Sequence, residues 1–172
     1  KDYESELIKI FSIDQKNKNI INQKYPNLYQ DNITVSLHVR RGDFLIISKL
    51  YNPEYILKPT YYQKALNLIN NLLKQDYKVL IFSDDIQWCR QNFKQNNIIF
   101  IEDNYDYIDL WMMTLCDHNI ISSSSFSWWG AFLNQNPNKI VIAPQKSIFR
   151  EKKNVQDLNQ KLYPNSWKII TE

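Results

Sequence analysis

Ile33-Thr34-Val35-Ser36-Leu37-His38-Val39-Arg40-Arg41-Gly42-Asp43 is the stretch that decides the fold. Its first seven residues, apolar and β-branched, read as a buried strand. Two fixed cations and an imidazole then stand at the strand exit. A parallel α/β sheet binds ligands outside the carboxyl ends of its strands, so this exit reads as an anion-binding edge. The chain has two glycines, Gly42 and Gly130, so no glycine-rich phosphate loop can be built. A phosphate must be held by guanidinium groups, hydroxyls and helix N-termini instead. Arginine suits that task because its planar fork of donors matches phosphate oxygens two at a time.

Outward from this strand the pattern alternates. A long loop through Pro53 and Pro59 leads to a helix capped by Thr60, with Tyr62, Ala65, Leu66, Ile69, Leu72 and Leu73 on one face. Lys78–Ser83 reads as a second strand and Asp85–Phe93 as a helix. Ile98–Ile101 is a third strand. A helix capped by Asp106 follows over Tyr107–Cys116, its stripe formed by Ile108, Trp111, Met112 and Leu115. His118–Ile121 is a fourth strand, the hydroxyl run Ser122–Ser125 leads into a helix over Phe126–Leu133, and Lys139–Ala143 is a fifth strand stopped by Pro144. Alternation at this spacing predicts an α/β fold, a Rossmann-like parallel sheet with helices on both faces. Residues 1–32 read as a lead-in helix over Glu6–Phe11 and a polar connector from Asp14 to Lys24, and residues 33–172 as the sheet domain.

The length of 172 residues suits one hydrophobic core. A net charge of +3 is too small an excess to favour nucleic acid as a partner. Cys89 and Cys116 lack the paired spacing of a zinc or redox motif and read as buried free thiols. With no apolar leader and no long uncharged apolar run, the expected setting is reducing and cytoplasmic.

Four features fall on one expected edge of the sheet: His38–Asp43, Asp84-Asp85, Asp109 and the serine run. Each also has a plain structural reading. Ser124 and Ser125 can donate to an anion at a helix start, or one of them can simply cap the helix. Asp84 and Asp85 can be helix caps, and Asp43 can hold Arg40 or Arg41 in place. Asp109 interrupts an apolar stripe, and its carboxylate can accept the N1–H and exocyclic amine of guanine. His38 can serve a purine or be a satisfied structural histidine. Trp128-Trp129 reads as core packing of its helix against the sheet.

His38-Val39-Arg40-Arg41-Gly42-Asp43, together with DLWMMTLCDHNIISSSS over Asp109–Ser125 and its continuation FSWWGAFLN, resembles the α-1,2-fucosyltransferases of glycosyltransferase family 11. The resemblance spans about residues 33–145. The H-x-R-R-x-D hexapeptide is shared with α-1,6- and protein O-fucosyltransferases, and the SSSSFSWWGAFL block narrows it to family 11. The resemblance implies inverting, metal-independent transfer of L-fucose from GDP-β-L-fucose to the 2-hydroxyl of a terminal β-galactoside, in a two-domain GT-B architecture. No cofactor beyond the donor substrate is implied. The partners are then GDP-fucose and a glycan, a setting compatible with peripheral association with a membrane through that glycan.

By the same resemblance, Arg40 binds the β-phosphate, Arg41 and Asp43 order the loop, His38 and Asp109 read guanine, and Ser124 and Ser125 hydrogen-bond the phosphates. The α-1,6 relatives place a glutamate base shortly after the hexapeptide, whereas Leu45–Ser48 here contains no acid. Glu54 is the nearest glutamate in that loop and becomes the base candidate. Family members carry an acceptor-side domain before the hexapeptide, where this chain has 37 residues, so the expectation is the donor-binding half. The alternative is a non-catalytic guanine-nucleotide or nucleotide-sugar binding module.

Overall fold

The computed structural model describes residues 3–30, 32–50, 56–145 and 162–171. Six strands form one parallel sheet: β1 (Ile33–Val39), β2 (Tyr77–Ser83), β3 (Ile98–Phe100), β4 (His118–Ile120), β5 (Val141–Pro144) and β6 (Lys168–Ile170). Their order is β3-β2-β1-β4-β5-β6, with every neighbouring pair parallel. The described helices are α1 (Glu4–Ile10), α2 (Gln15–Lys24), α3 (Gly42–Leu50), α4 (Pro59–Leu73), α5 (Ile86–Asn92), α6 (Asp106–Leu115) and α7 (Ser125–Leu133). The strand order reverses direction between β1 and β4, and at such a switch point a crevice opens beyond the strand ends.

Strand alternation sends Val35, Leu37 and Val39 to one face, where they join Val79, Ile81, Tyr61, Ala65 and Ile69. The other face carries Leu80 and Phe82 against Ile108 and Met112 of α6 and Ile21 of α2. On this second face β1 presents Thr34, Ser36 and His38, all buried, and each is satisfied from the β4 side. Asp117 Oδ2 accepts from the Thr34 amide at 2.8 Å, Asn119 Nδ2 donates to Ser36 Oγ at 2.7 Å, and Ser122 Oγ lies 2.8 Å from His38 Nδ1. Polar pairs therefore stitch β1 to β4 at the switch point, where buried polar groups must find partners.

Several sequence expectations need correction. The stretch after the arginines is helix α3, not loop: Phe44 and Ser48 are buried in it, and the consecutive apolar run Phe44–Ile47 gives no helical periodicity in the sequence. The Asp14–Lys24 connector is helix α2, capped by Asp14, whose side chain accepts from Asn17 N. Only one α2 residue, Ile21, is buried, too few to announce a helix by periodicity. Lys58, not Thr60, is the N-cap of α4, with Pro59 at the first helical position, where its missing N–H is harmless. Tyr105, not Asp106, caps α6. Pro144 ends β5 from inside, not after it, and β6 is a sixth strand too short to show a pattern.

Trp128 stacks on Phe132 of its own helix and meets the C-terminal segment through Trp167 and a bond donated from Nε1 to the Leu162 carbonyl at 2.9 Å. Trp129 is 36% exposed and meets Phe11. Cys89 and Cys116 are buried free thiols whose proton affinity burial raises, the Cys89 pKa to about 11. No helix among the described residues is long and apolar enough to cross a membrane.

Candidate active site at the strand switch point

A cleft of about 340 Å³ opens beyond the ends of β1, β2 and β4, lined by His38, Arg40, Phe82, Ser83, Asp84, Asp106, Asp109, Ser124, Ser125 and Phe126. Five expected site residues, His38, Arg40, Asp109, Ser124 and Ser125, thus share one cavity.

Arg40 leaves the β1 exit and lies between two carboxylates, Asp43 Oδ1 at 2.9 Å and Asp84 Oδ2 at 3.1 Å. Its side chain is 33% exposed, so it is braced from behind with a face open to a ligand. Arg41 has a different task. Its amide donates to Asp84 Oδ1 at 2.8 Å, its Nε donates to Asp85 Oδ2 at 3.0 Å, and its guanidinium lies 4.1 Å from the centre of the Trp88 ring. These contacts hold the β1–α3 corner onto the β2–α5 corner. Asp85 also caps α5, accepting from Trp88 N at 3.1 Å. Neither Arg41 nor Asp43 lines the cleft, and Glu54 lies outside the described residues.

Gly42 permits this arrangement. A Cβ there would meet Asp84 Oδ2 at 2.7 Å, the oxygen that pairs with Arg40.

Asp109, also in the cleft wall, is half-buried, with Oδ1 accepting from Asn104 Nδ2 at 2.8 Å. Burial raises its pKa from the ordinary 3.8 to about 6; the Asn104 hydrogen bond and Lys24 pull it down and Asp106 pushes it up. Asn104 is held by α2: Lys24 Nζ donates to its Oδ1 at 2.7 Å, and its Nδ2 also donates to Tyr25 Oη at 3.2 Å. Burial, and secondarily Arg40, lower the His38 pKa to about 3, so its ring is neutral at pH 7. Ser124 is the N-cap of α7, its Oγ accepting from Phe126 N at 3.3 Å, while Ser125 is exposed at the helix start. The α7 N-terminus, with Ser124 and Ser125, therefore forms part of the cleft wall, a setting that favours an anion.

The sequence missed Asn104, Asp84 as a brace for Arg40, and the aromatic walls Phe82 and Phe126. Asn104 belongs to the loop before α6 and carries no signal of its own. Among the described residues no group of three or more His, Cys, Asp or Glu side chains is placed to hold a metal ion.

The family model for glycosyl transferase family 11 matches residues 3–170. The chain belongs to that family. It is 33% identical over 147 residues to the O-antigen biosynthesis glycosyltransferase WbnK of Escherichia coli, covering 81% of this chain and 48% of that protein. It is 34% identical over 133 residues to an α-1,2-colitosyltransferase of the same organism, covering 72% and 44%. A galactoside α-(1,2)-fucosyltransferase 1 of Bos taurus is 30% identical over 104 residues, covering 58% and 29%. The chain spans about half the length, or less, of these three relatives. The crystal structure of NodZ α-1,6-fucosyltransferase soaked with GDP-fucose superposes with a TM-score of 0.46 at 15% identity, over 70% of this chain and 42% of that one, too slight a likeness to carry weight.

Proposed function

We propose that this chain is the donor-binding half of an inverting, metal-independent glycosyltransferase of GT-B architecture. It would transfer L-fucose from GDP-β-L-fucose to the 2-hydroxyl of a terminal β-galactoside. The observation that carries the reading is the cleft itself. A braced guanidinium, Arg40, lines one cleft of about 340 Å³ together with the carboxylate Asp109 and a helix N-terminus carrying Ser124 and Ser125. Relatives named for fucosyl and colitosyl transfer both form α-1,2 linkages, which supports the 2-hydroxyl as acceptor.

In this reaction the acceptor oxygen bonds to the anomeric carbon on the face opposite the diphosphate. The glycosyl–phosphate bond breaks, its electron pair leaves with GDP, and the hydroxyl proton passes to a base. Negative charge grows on the β-phosphate as the bond lengthens. Arg40 and the α7 N-terminus are positioned to stabilise it, and loss of one such donor costs about 3 to 4 kcal/mol of barrier. Asp109 accepts from the guanine edge. Glu54 is carried forward as the base candidate only because it is the nearest glutamate after the hexapeptide; His38, with a pKa near 3, is a poor proton acceptor.

The test is incubation with radiolabelled GDP-fucose and a simple β-galactoside, with the product's linkage checked by an α-1,2-specific fucosidase. A product sensitive to that enzyme and absent in Arg40→Ala supports the proposal. A different linkage, or GDP-fucose binding with no transfer even when an acceptor-side domain is supplied, overturns it.

A further inference from the structure

The chain has two histidines, and each commits one ring nitrogen to the protein. His118 Nδ1 accepts from the Ile140 amide at 3.1 Å. An amide can only donate, so the neutral His118 ring carries its proton on Nε2. His38 Nδ1 instead lies 2.8 Å from the Ser122 hydroxyl, a group that can play either part.

The next serine makes the choice. Ser127 Oγ accepts from the Ser122 amide at 3.3 Å and lies 3.3 Å from the Ser124 carbonyl and 3.4 Å from Ser122 Oγ. A carbonyl can only accept, so the one proton of Ser127 goes to Ser124. Ser122 then donates to Ser127, which fills both lone pairs of that oxygen, and Ser122 Oγ is left to accept from His38. The reverse arrangement leaves a buried lone pair on Ser127 unused. Arg40 gives a second reason, since it lines the cleft beside His38. A ring lone pair facing that cation is favoured over an N–H. Among the described residues His38 Nε2 has no protein hydrogen bond, although the residue is only 4% exposed and lines the cleft. A buried, unpartnered ring nitrogen at a cavity wall awaits a ligand.

We propose that the Ser122–Ser127 relay holds His38 in the Nδ1–H tautomer, so that an unprotonated Nε2 faces the cleft and reads a hydrogen-bond donor of the bound nucleoside. Ser122 and Ser127 are then positioning residues that set which ligand atoms the site accepts. The last clause rests on the guanine-nucleotide reading above; the tautomer does not.

The experiment is two-bond ¹H–¹⁵N correlation spectroscopy on the intact chain with ¹⁵N-labelled histidine, assigned with His118→Gln. Two neutral rings of opposite tautomer are expected, His38 protonated on Nδ1 and His118 on Nε2. GDP should move the His38 Nε2 resonance as it accepts a hydrogen bond, leaving the Nδ1 proton in place. Ser122→Ala should abolish the Nδ1–H preference and weaken GDP binding about tenfold, the effect of stranding one buried polar group. Ser122→Thr, which keeps the hydroxyl, should restore both. An Nε2-protonated His38 in the free wild-type protein overturns the relay. The expected tautomer with no response to GDP overturns the guanine-nucleotide reading and leaves the relay standing.

Discussion

Asp109→Asn should make the protein more stable and its site worse. Asp109 is the one carboxylate in the cleft whose pKa burial lifts from the ordinary 3.8 to about 6. Below pH 3.8 it is protonated in both folded and unfolded chains, and its ionisation carries no penalty. Between pH 3.8 and 6 the unfolded chain releases a proton that the folded chain keeps, so folding stability falls as pH rises. Above pH 6 the full penalty is present. At about 1.4 kcal/mol per pH unit, the displacement amounts to about 3 kcal/mol, and partial exposure reduces it to about 2 kcal/mol. Asparagine has the same shape, and its carbonyl can still accept from Asn104. The variant should therefore match the wild type near pH 3.5 and exceed it by about 2 kcal/mol at pH 8. Urea unfolding of both proteins across that range, at constant m-value, measures the difference. A gap that does not grow between pH 4 and 6, or a variant no more stable at pH 8, refutes the reasoning. In the same variant guanine selectivity should fall, since the amide no longer offers two acceptor oxygens. A carboxylate that weakens the fold while lining a cleft has the signature of a functional residue.

Gly42→Ala should push Asp84 off Arg40 and the Arg41 amide, lowering stability by about 1 kcal/mol and weakening GDP binding several-fold by calorimetry. Arg41→Ala removes the Trp88 stack and the Asp85 pair, and urea unfolding should show a loss of about 1 to 2 kcal/mol. Its effect on GDP affinity should be smaller than that of Arg40→Ala. Asn119→Ala breaks three buried hydrogen bonds, to Ser36, Met113 and Asn134. It should lose about 3 kcal/mol of stability while GDP binding, measured well below the melting temperature, stays within twofold.

The parts of the fold legible in the sequence were those with strong periodicity. Ile33–Val39 and the face of α4 carry their own pattern, and the rule that ligands gather at carboxyl strand ends puts His38, Arg40, Asp109, Ser124 and Ser125 near one edge from the sequence alone. What was not legible depends on contacts between distant segments or on elements too short to repeat. Asp84 reads as a cap, yet it reaches across 43 positions to the Arg41 amide. Asn104 gains its role only because Lys24 of α2 and the adjoining Tyr25 come to meet it, and α2 itself buries too little apolar surface to be seen. The strand β6 has three residues, and the unbroken apolar run Phe44–Ile47 hides the 3.6-residue turn of α3. Ser127 carries no signal of its own in the sequence and gains its part only through Ser122, whose hydroxyl lies 3.4 Å from Ser127 Oγ and 2.8 Å from the His38 ring.

The most direct test of the central claim is calorimetric titration of the chain with GDP, ADP and UDP, repeated on Arg40→Ala. The cleft predicts GDP binding at least about tenfold tighter than either control, because a site built to pair a base edge rejects the wrong edge, and loss of that binding in Arg40→Ala. Equal binding of all three nucleotides, no binding of GDP, or GDP affinity unchanged without the guanidinium would contradict it.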